Sequence, residues 1–172
     1  MASTEFGDRT RFAVSLELDE DSGGQWMFGK FCYWIDGKMI GNYEEGTSLR
    51  DTLTALKWIV HDSGKREDCA RFEVPPEDVF EAIDSSMYGQ AENASSESDG
   101  DATARFEISP QIDIFNQWKI YLIDCRSQAR LLYKNLSDPN VSEFFLKRAE
   151  FDACIQLAWD QLNALYDRAL SA

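Results

Sequence analysis

The run QWMFGKFCYWIDGKMIGNYEEGTSLRD, residues 25–51, restricts the fold of this chain more than any other segment. Residues 25–35 are dense in large apolar groups and read as a strand. Asp36-Gly37 supplies the positive φ angles of a tight reversal, so residues 39–43 return as a second strand of a hairpin. Ser48 then offers an N-cap, with Asp51 three residues on in a capping-box arrangement. Leu49, Leu53, Leu56 and Val60 follow at helical spacing on one face. A hairpin feeding directly into an amphipathic helix suggests an α+β domain.

The flanking sequence agrees. Residues 11–20, RFAVSLELDE, alternate as a half-buried strand, with Phe12, Val14, Leu16 and Leu18 on one side. Pro75-Pro76 followed by Glu77 and Asp78 opens a second helix. Residues 105–109 read as a short strand, 117–125 and 128–136 as a hairpin around Arg126-Ser127, and 142–148 as another strand. Phe151, Ile155, Ala158, Leu162, Leu165 and Ala169 mark a long closing helix, roughly 149–170. Each half thus runs strands, aromatic hairpin, helix. The expected architecture is one domain over 1–172. It holds a largely antiparallel sheet of about six to seven strands, two main helices packed mainly on one face, and a ββ(β)α pseudo-repeat. Residues 89–104 carry four acids, no base and no apolar side chain larger than alanine. Such a segment has nothing to offset its ordering entropy, and it reads as a disordered acidic loop.

Charge narrows the partners. The net charge is −14, from 31 acids against 17 bases. Residues 61–104 hold 12 acids and 3 bases, about two-thirds of the excess in a quarter of the chain. That field repels nucleic acid and anionic lipid and attracts basic proteins, or serves solubility alone. No apolar run approaches the roughly 18 residues of a membrane span, and the first ten residues lack the apolar core of a signal peptide. A soluble cytoplasmic protein is expected. Cys32, Cys69, Cys125 and Cys154 stand 37, 56 and 29 positions apart with no CxxC, so neither a disulfide framework nor a zinc site is expected.

Catalytic chemistry finds little to work with. The one histidine, His61, sits at the end of the first helix, where it suits the negative end of the helix dipole. Gly37, Gly41 and Gly46 do not form a dinucleotide motif, and Gly46-Thr47-Ser48 lacks the P-loop lysine. The acids of residues 17–21 alternate along a strand end and read as solvated rather than as metal ligands. No cofactor is called for. What remains is a strand with large apolar groups on both faces. Met27, Phe31, Tyr33 and Ile35 take one side; Trp26, Phe28, Cys32 and Trp34 take the other. Either both faces are covered, or one presents aromatic anchors to a partner. Trp34, Tyr43, Glu44 and Glu45, with Asp19, Glu20 and Asp21, form the candidate binding surface.

The pattern Trp-x-Phe-Gly-x-Phe-Cys-Tyr-Trp-Ile-x-Gly at 26–37, Ile-Gly-x-Tyr at 40–43 and Gly-Thr-Ser-Leu-Arg-Asp at 46–51 resembles the immunity protein 42 family of bacterial polymorphic toxin systems. The resemblance is specific over residues 24–66 and carries a fainter echo in WKIYLIDC and YKNL. It implies a small cytoplasmic antidote that binds and neutralises a cognate toxin domain and has no enzymatic activity. It assigns no toxin-contacting residue. A basic toxin such as a nuclease, which needs positive surface for phosphate, suits the acidic charge. The alternatives left open are a carboxylate- or metal-dependent enzyme and an acidic adaptor domain without a toxin partner.

Overall fold

Asp36 and Gly37 adopt φ angles of 51° and 73°, the left-handed pair that a two-residue hairpin requires. They join β3 (Phe28–Ile35) to β4 (Lys38–Ile40), with Ile35 opposite Lys38. This hairpin is the centre of the first of two sheets in the computed structural model, which describes residues 3–89 and 102–171. The first sheet has five strands: β1 (Thr4–Gly7), β2 (Phe12–Leu18), β3 and β4 in order, with β5 (Thr47–Ser48) also on β3. The second has three: β6 (Trp118–Cys125), β7 (Gln128–Asn135) and β8 (Ser142–Lys147). All strand pairs within both sheets are antiparallel. The α+β class and the antiparallel pairing are as read from the sequence. The division into two sheets, with β1 as an added edge strand, is not visible in strand periodicity, which says nothing about which strands become neighbours.

Helices α1 (Leu49–His61), α2 (Cys69–Phe72), α3 (Pro76–Tyr88) and α4 (Glu150–Ser171) pack with these sheets among the described residues. Ser48 caps α1, its Oγ accepting from the Asp51 amide at 3.2 Å. One continuous core joins the inner face of the first sheet (Phe12, Val14, Phe31, Tyr33, Ile35), α1, α4 and one face of the second sheet (Ile120, Leu122, Leu131). The other face of the second sheet is covered by α3, whose Val79, Phe80 and Ile83 pack on Phe106, Tyr121, Ile123 and Leu132. The β6 strand is therefore apolar on both sides because both sides are buried. Tyr33 is the aromatic hub of the main core. Phe12, Phe31, Phe115 and Phe151 lie with ring centroids 5.0–6.3 Å away, and its hydroxyl donates to the Ile108 carbonyl at 3.2 Å.

Several sequence expectations shift in detail. β3 begins at Phe28, because Gly24–Trp26 makes a turn of 3₁₀-helix and Met27 sits at φ 53°. Residues 105–109 do not become a full strand. They meet β6 through the single bridge Glu107–Tyr121, flanked by Ile108 N to Ile120 O and Leu122 N to Phe106 O, since a helical turn at 102–104 precedes them and Pro110 follows. Of the acidic stretch 89–104, residues 90–101 lie outside the described residues. Thr103 is buried and its carbonyl accepts from the Phe106 amide. The absence of a disulfide is the clearest correction: Cys69 and Cys125 are bonded, their Cα atoms 4.8 Å apart. The parallel bridge Glu67–Asp124 lays the start of α2 beside the end of β6, a tertiary adjacency that the 56-residue separation hides.

Arg66, in the link between α1 and α2, is fully buried. Its Nη2 donates to Ile59 O (2.6 Å), its Nε to Arg105 O (2.8 Å) and its Nη1 to Asp152 Oδ1 (2.9 Å). Desolvation pulls the guanidinium's pKa down; the Asp152 charge opposes that. Arg66→Met strands the Asp152 carboxylate and two carbonyls, and should cost about 3–5 kcal/mol in urea unfolding. Arg66→Lys recovers only part, since an ammonium cannot span three divergent acceptors; a Met variant within about 1 kcal/mol of the parent would contradict the clamp.

Two more outcomes can be measured on the same scale. Opening the Cys69–Cys125 bond with reductant, or by double serine substitution, should lower the melting temperature by roughly 6–12 °C, about 3 kcal/mol for a chain of this size; an unmoved transition would show that the bond constrains nothing. Glu150 at the start of α4 accepts both Arg11 Nε (2.7 Å) and Nη2 (2.8 Å). Those hydrogen bonds are the main cause holding its carboxyl below the usual range. A depressed folded pKa gives stability that is present above the unfolded value and is lost as pH falls through the folded one. The stability gap between the parent and Glu150→Gln should therefore be full at neutral pH and close on acidification through the carboxylate range. A gap that does not change with pH would contradict the pairing.

Candidate functional site

The outer face of the first sheet carries much of the predicted surface. Trp34 is half-buried on β3 opposite Met39 and Ala13. Its indole Nε1 donates to Ser15 Oγ at 2.9 Å, and the Arg9 guanidinium lies 4.2 Å above the ring. Arg9 in turn pairs with Glu5. Tyr43, also half-buried, reaches across the same face to Ser3 Oγ (3.3 Å) and Glu17 Oε2 (3.4 Å), with Lys30 Nζ 5.5 Å from its ring. Lys30 bonds Glu44 at 3.4 Å, and Glu44 is the main cause raising the Lys30 pKa. Glu45 accepts from Asn42 Nδ2 at 2.8 Å. Trp34, Tyr43 and Glu44 are thus brought onto one sheet face, and β3 is covered on its inner side while Phe28 and Met39 stay exposed on the outer.

Asp19, Glu20 and Asp21 follow β2, where the Asp19 amide bonds Phe28 O at 3.0 Å. Six strand residues separate that pairing from Trp34, roughly 20 Å, whereas Glu44 meets Lys30, two residues from Phe28 on β3, so both predicted acidic groups lie toward the end of the strand away from Trp34. None of the three forms a salt bridge among the described residues. The outer face of the sheet alternates in sign (Glu5, Arg9, Glu17, Lys30, Glu44), and its charges are largely matched. Cys32, fully buried at its centre, has its thiol pushed up to about 12 by desolvation, which leaves it protonated and unreactive at neutral pH.

A second feature was not legible in the sequence. A cavity of about 340 Å³ lies between α1 and residues 104–111, lined by Ala55, Trp58, Asp62, Glu107 and Gln111 among others. Gln111 also lines two adjoining hollows, of about 470 Å³ beside Asp51 and Thr54 and about 140 Å³ beside Tyr88 and Lys119. Glu107 is the polar centre. Its oxygens accept from Tyr88 Oη (2.8 Å to each), Ser109 Oγ (3.2 Å) and Gln111 Nε2 (3.1 Å). Burial pushes its carboxyl pKa up while these donors oppose the shift. Trp58 is 66 % exposed. The signal was its place on α1, off the Leu49–Leu53–Leu56 stripe, where a tryptophan has no core to enter. His61, exposed at the end of α1, contacts Lys65 at 3.1 Å and packs near Trp58.

Comparison with known proteins places this geometry. The fold is similar to CdiI from Burkholderia dolosa AUO158, with a TM-score of 0.75 over 92% of this chain and 99% of that one at 18% identity. A search of the curated proteins gives no match. The profile described as Immunity protein 42 matches residues 1–161. The chain belongs to the immunity protein 42 family, whose members neutralise toxins.

Proposed function

We propose that the chain acts in the cytoplasm as a non-enzymatic inhibitor that holds a basic toxin domain by direct protein–protein association. The observation that carries this reading is the excess of 14 negative charges on a member of an immunity family. A toxin that works on nucleic acid carries positive surface for phosphate, and an acidic antidote both attracts that surface and competes for it. Complementary fields raise association rates well above the ~10⁵–10⁶ M⁻¹s⁻¹ of uncharged pairs. No cofactor, nucleic acid or membrane enters this mechanism. Among the described residues no helix is long and apolar enough to cross a membrane.

On this reading Asp19, Glu20, Asp21, Glu44 and Glu45 contribute to the steering field, and Trp34 and Tyr43 belong to the same binding surface. Glu44, whose side chain is 83% exposed in its pair with Lys30, is held by little more than a screened surface contact. Co-expression with the toxin domain encoded beside this gene should restore growth. Charge reversal at Glu44 with Glu45, or across Asp19, Glu20 and Asp21, should slow association several-fold at low ionic strength. The difference should close in high salt, where screening removes long-range attraction, with an unchanged melting temperature. Persistent growth arrest would refute the antitoxin role, and salt-independent on-rates would refute the electrostatic one.

A further inference from the structure

The cleft between α1 and residues 104–111 has properties that the steering face lacks. Its two larger hollows are lined by Asp51, Asp62 and Glu107 and by no lysine or arginine. Asp51 and Asp62 have their own cations, Arg50 at 3.2 Å and Lys65 at 4.0 Å. Glu107 has only neutral hydrogen-bond donors and forms no salt bridge among the described residues; Lys119, which lines the far hollow with it, acts on the carboxyl through its charge alone. Trp58, the most exposed large apolar residue among those described, stands at the same cavity; the His61 ring meets it edge-on at 6.5 Å between centroids, and Lys57 Nζ lies over the ring 5.9 Å from its centroid. Leu136, 50 % exposed, borders the far hollow.

Resting on the antitoxin reading above, we infer that this cleft is the anchoring site for the partner, and that it takes a basic segment of the toxin whose arginine or lysine seats between the Trp58 ring and the Glu107 carboxylate. A planar guanidinium matches both surfaces, stacking on an indole face and donating to a carboxylate. The match is electrostatic on both sides: the quadrupole of the indole and a carboxylate bonded only by neutral donors each favour a cation. An aromatic residue beside a desolvated polar centre is the usual make-up of an interface hot spot. Anchoring of this kind acts on dissociation, whereas the distant acids act on encounter. The two roles therefore separate kinetically.

Trp58→Ala and Gln111→Arg alter exposed side chains at the cleft without touching the core. The second places a cation and added bulk where the three hollows meet. Binding of the full-length chain to the toxin domain encoded beside it is followed by surface kinetics, with melting temperatures measured in parallel. Each variant should dissociate at least about tenfold faster, with on-rates close to the parent's. Hydrogen exchange on the unaltered complex should show protection over 51–62 and 104–111. Folded variants that dissociate at the parent rate, or protection confined to the Trp34 face, overturn the cleft assignment alone. An unaltered chain that binds no toxin overturns the antitoxin reading and this inference with it.

Discussion

A buried guanidinium holds this fold together. Arg66 ties the last turn of α1, the chain at Arg105 and the first turn of α4 through three donors to three acceptors, while its own carbonyl accepts the Asp124 amide at the end of β6. Those four segments come from both halves of the chain. A charge in that position costs desolvation and contributes little net stability by itself. Its consequence is specificity: any arrangement that separates these segments leaves an ion or a carbonyl unpaired in the interior. Asp152 accepts Arg66 through one oxygen and the Gly64 amide through the other, so the α1–α2 link and the start of α4 are fixed by one carboxylate.

Around that clamp, the two sheets resolve the puzzle of strands that are apolar on both faces. β6 is covered twice, by the main core and by α3. β3 is covered once, and on its open face the aromatics are held by local partners: Trp34 by Ser15 and Arg9, Tyr43 by Ser3, Glu17 and Lys30. Trp34 and Tyr43 each pack under a paired cation, which leaves Phe28 and Met39 as the exposed apolar groups of that face. The pairs there are nearly balanced, so any steering field comes from the exposed acids beside the face rather than from the paired charges on it. The cleft at Trp58 and Glu107 has the opposite character, with an exposed ring and a carboxylate that forms no salt bridge among the described residues.

Much of the architecture was legible from residue order because its signals are local. The Asp36-Gly37 hairpin, the Ser48 cap, the stripes of α1 and α4 and the turn at Arg126-Ser127 all depend on neighbours within a few positions. The candidate surface was legible only in part. Aromatic and acidic residues marked the outer face of β3, yet their pairing with Arg9 and Lys30, and the distance of Asp19–Asp21 from Trp34, follow from strand register. The cleft was invisible: Glu107 resembles any acid in a short strand until Tyr88, Ser109 and Gln111 are folded around it.

The sequence by itself determined the α+β class, the main helices and hairpins, the negative field and the family motif. Each depends on composition or on contacts a few residues apart. The tertiary structure alone decided the split into two sheets, the burial of Arg66, the union of Cys69 with Cys125 and the cavity beside Trp58. These bring together residues tens of positions apart, and chain spacing places no constraint on such meetings until packing has chosen which elements are neighbours.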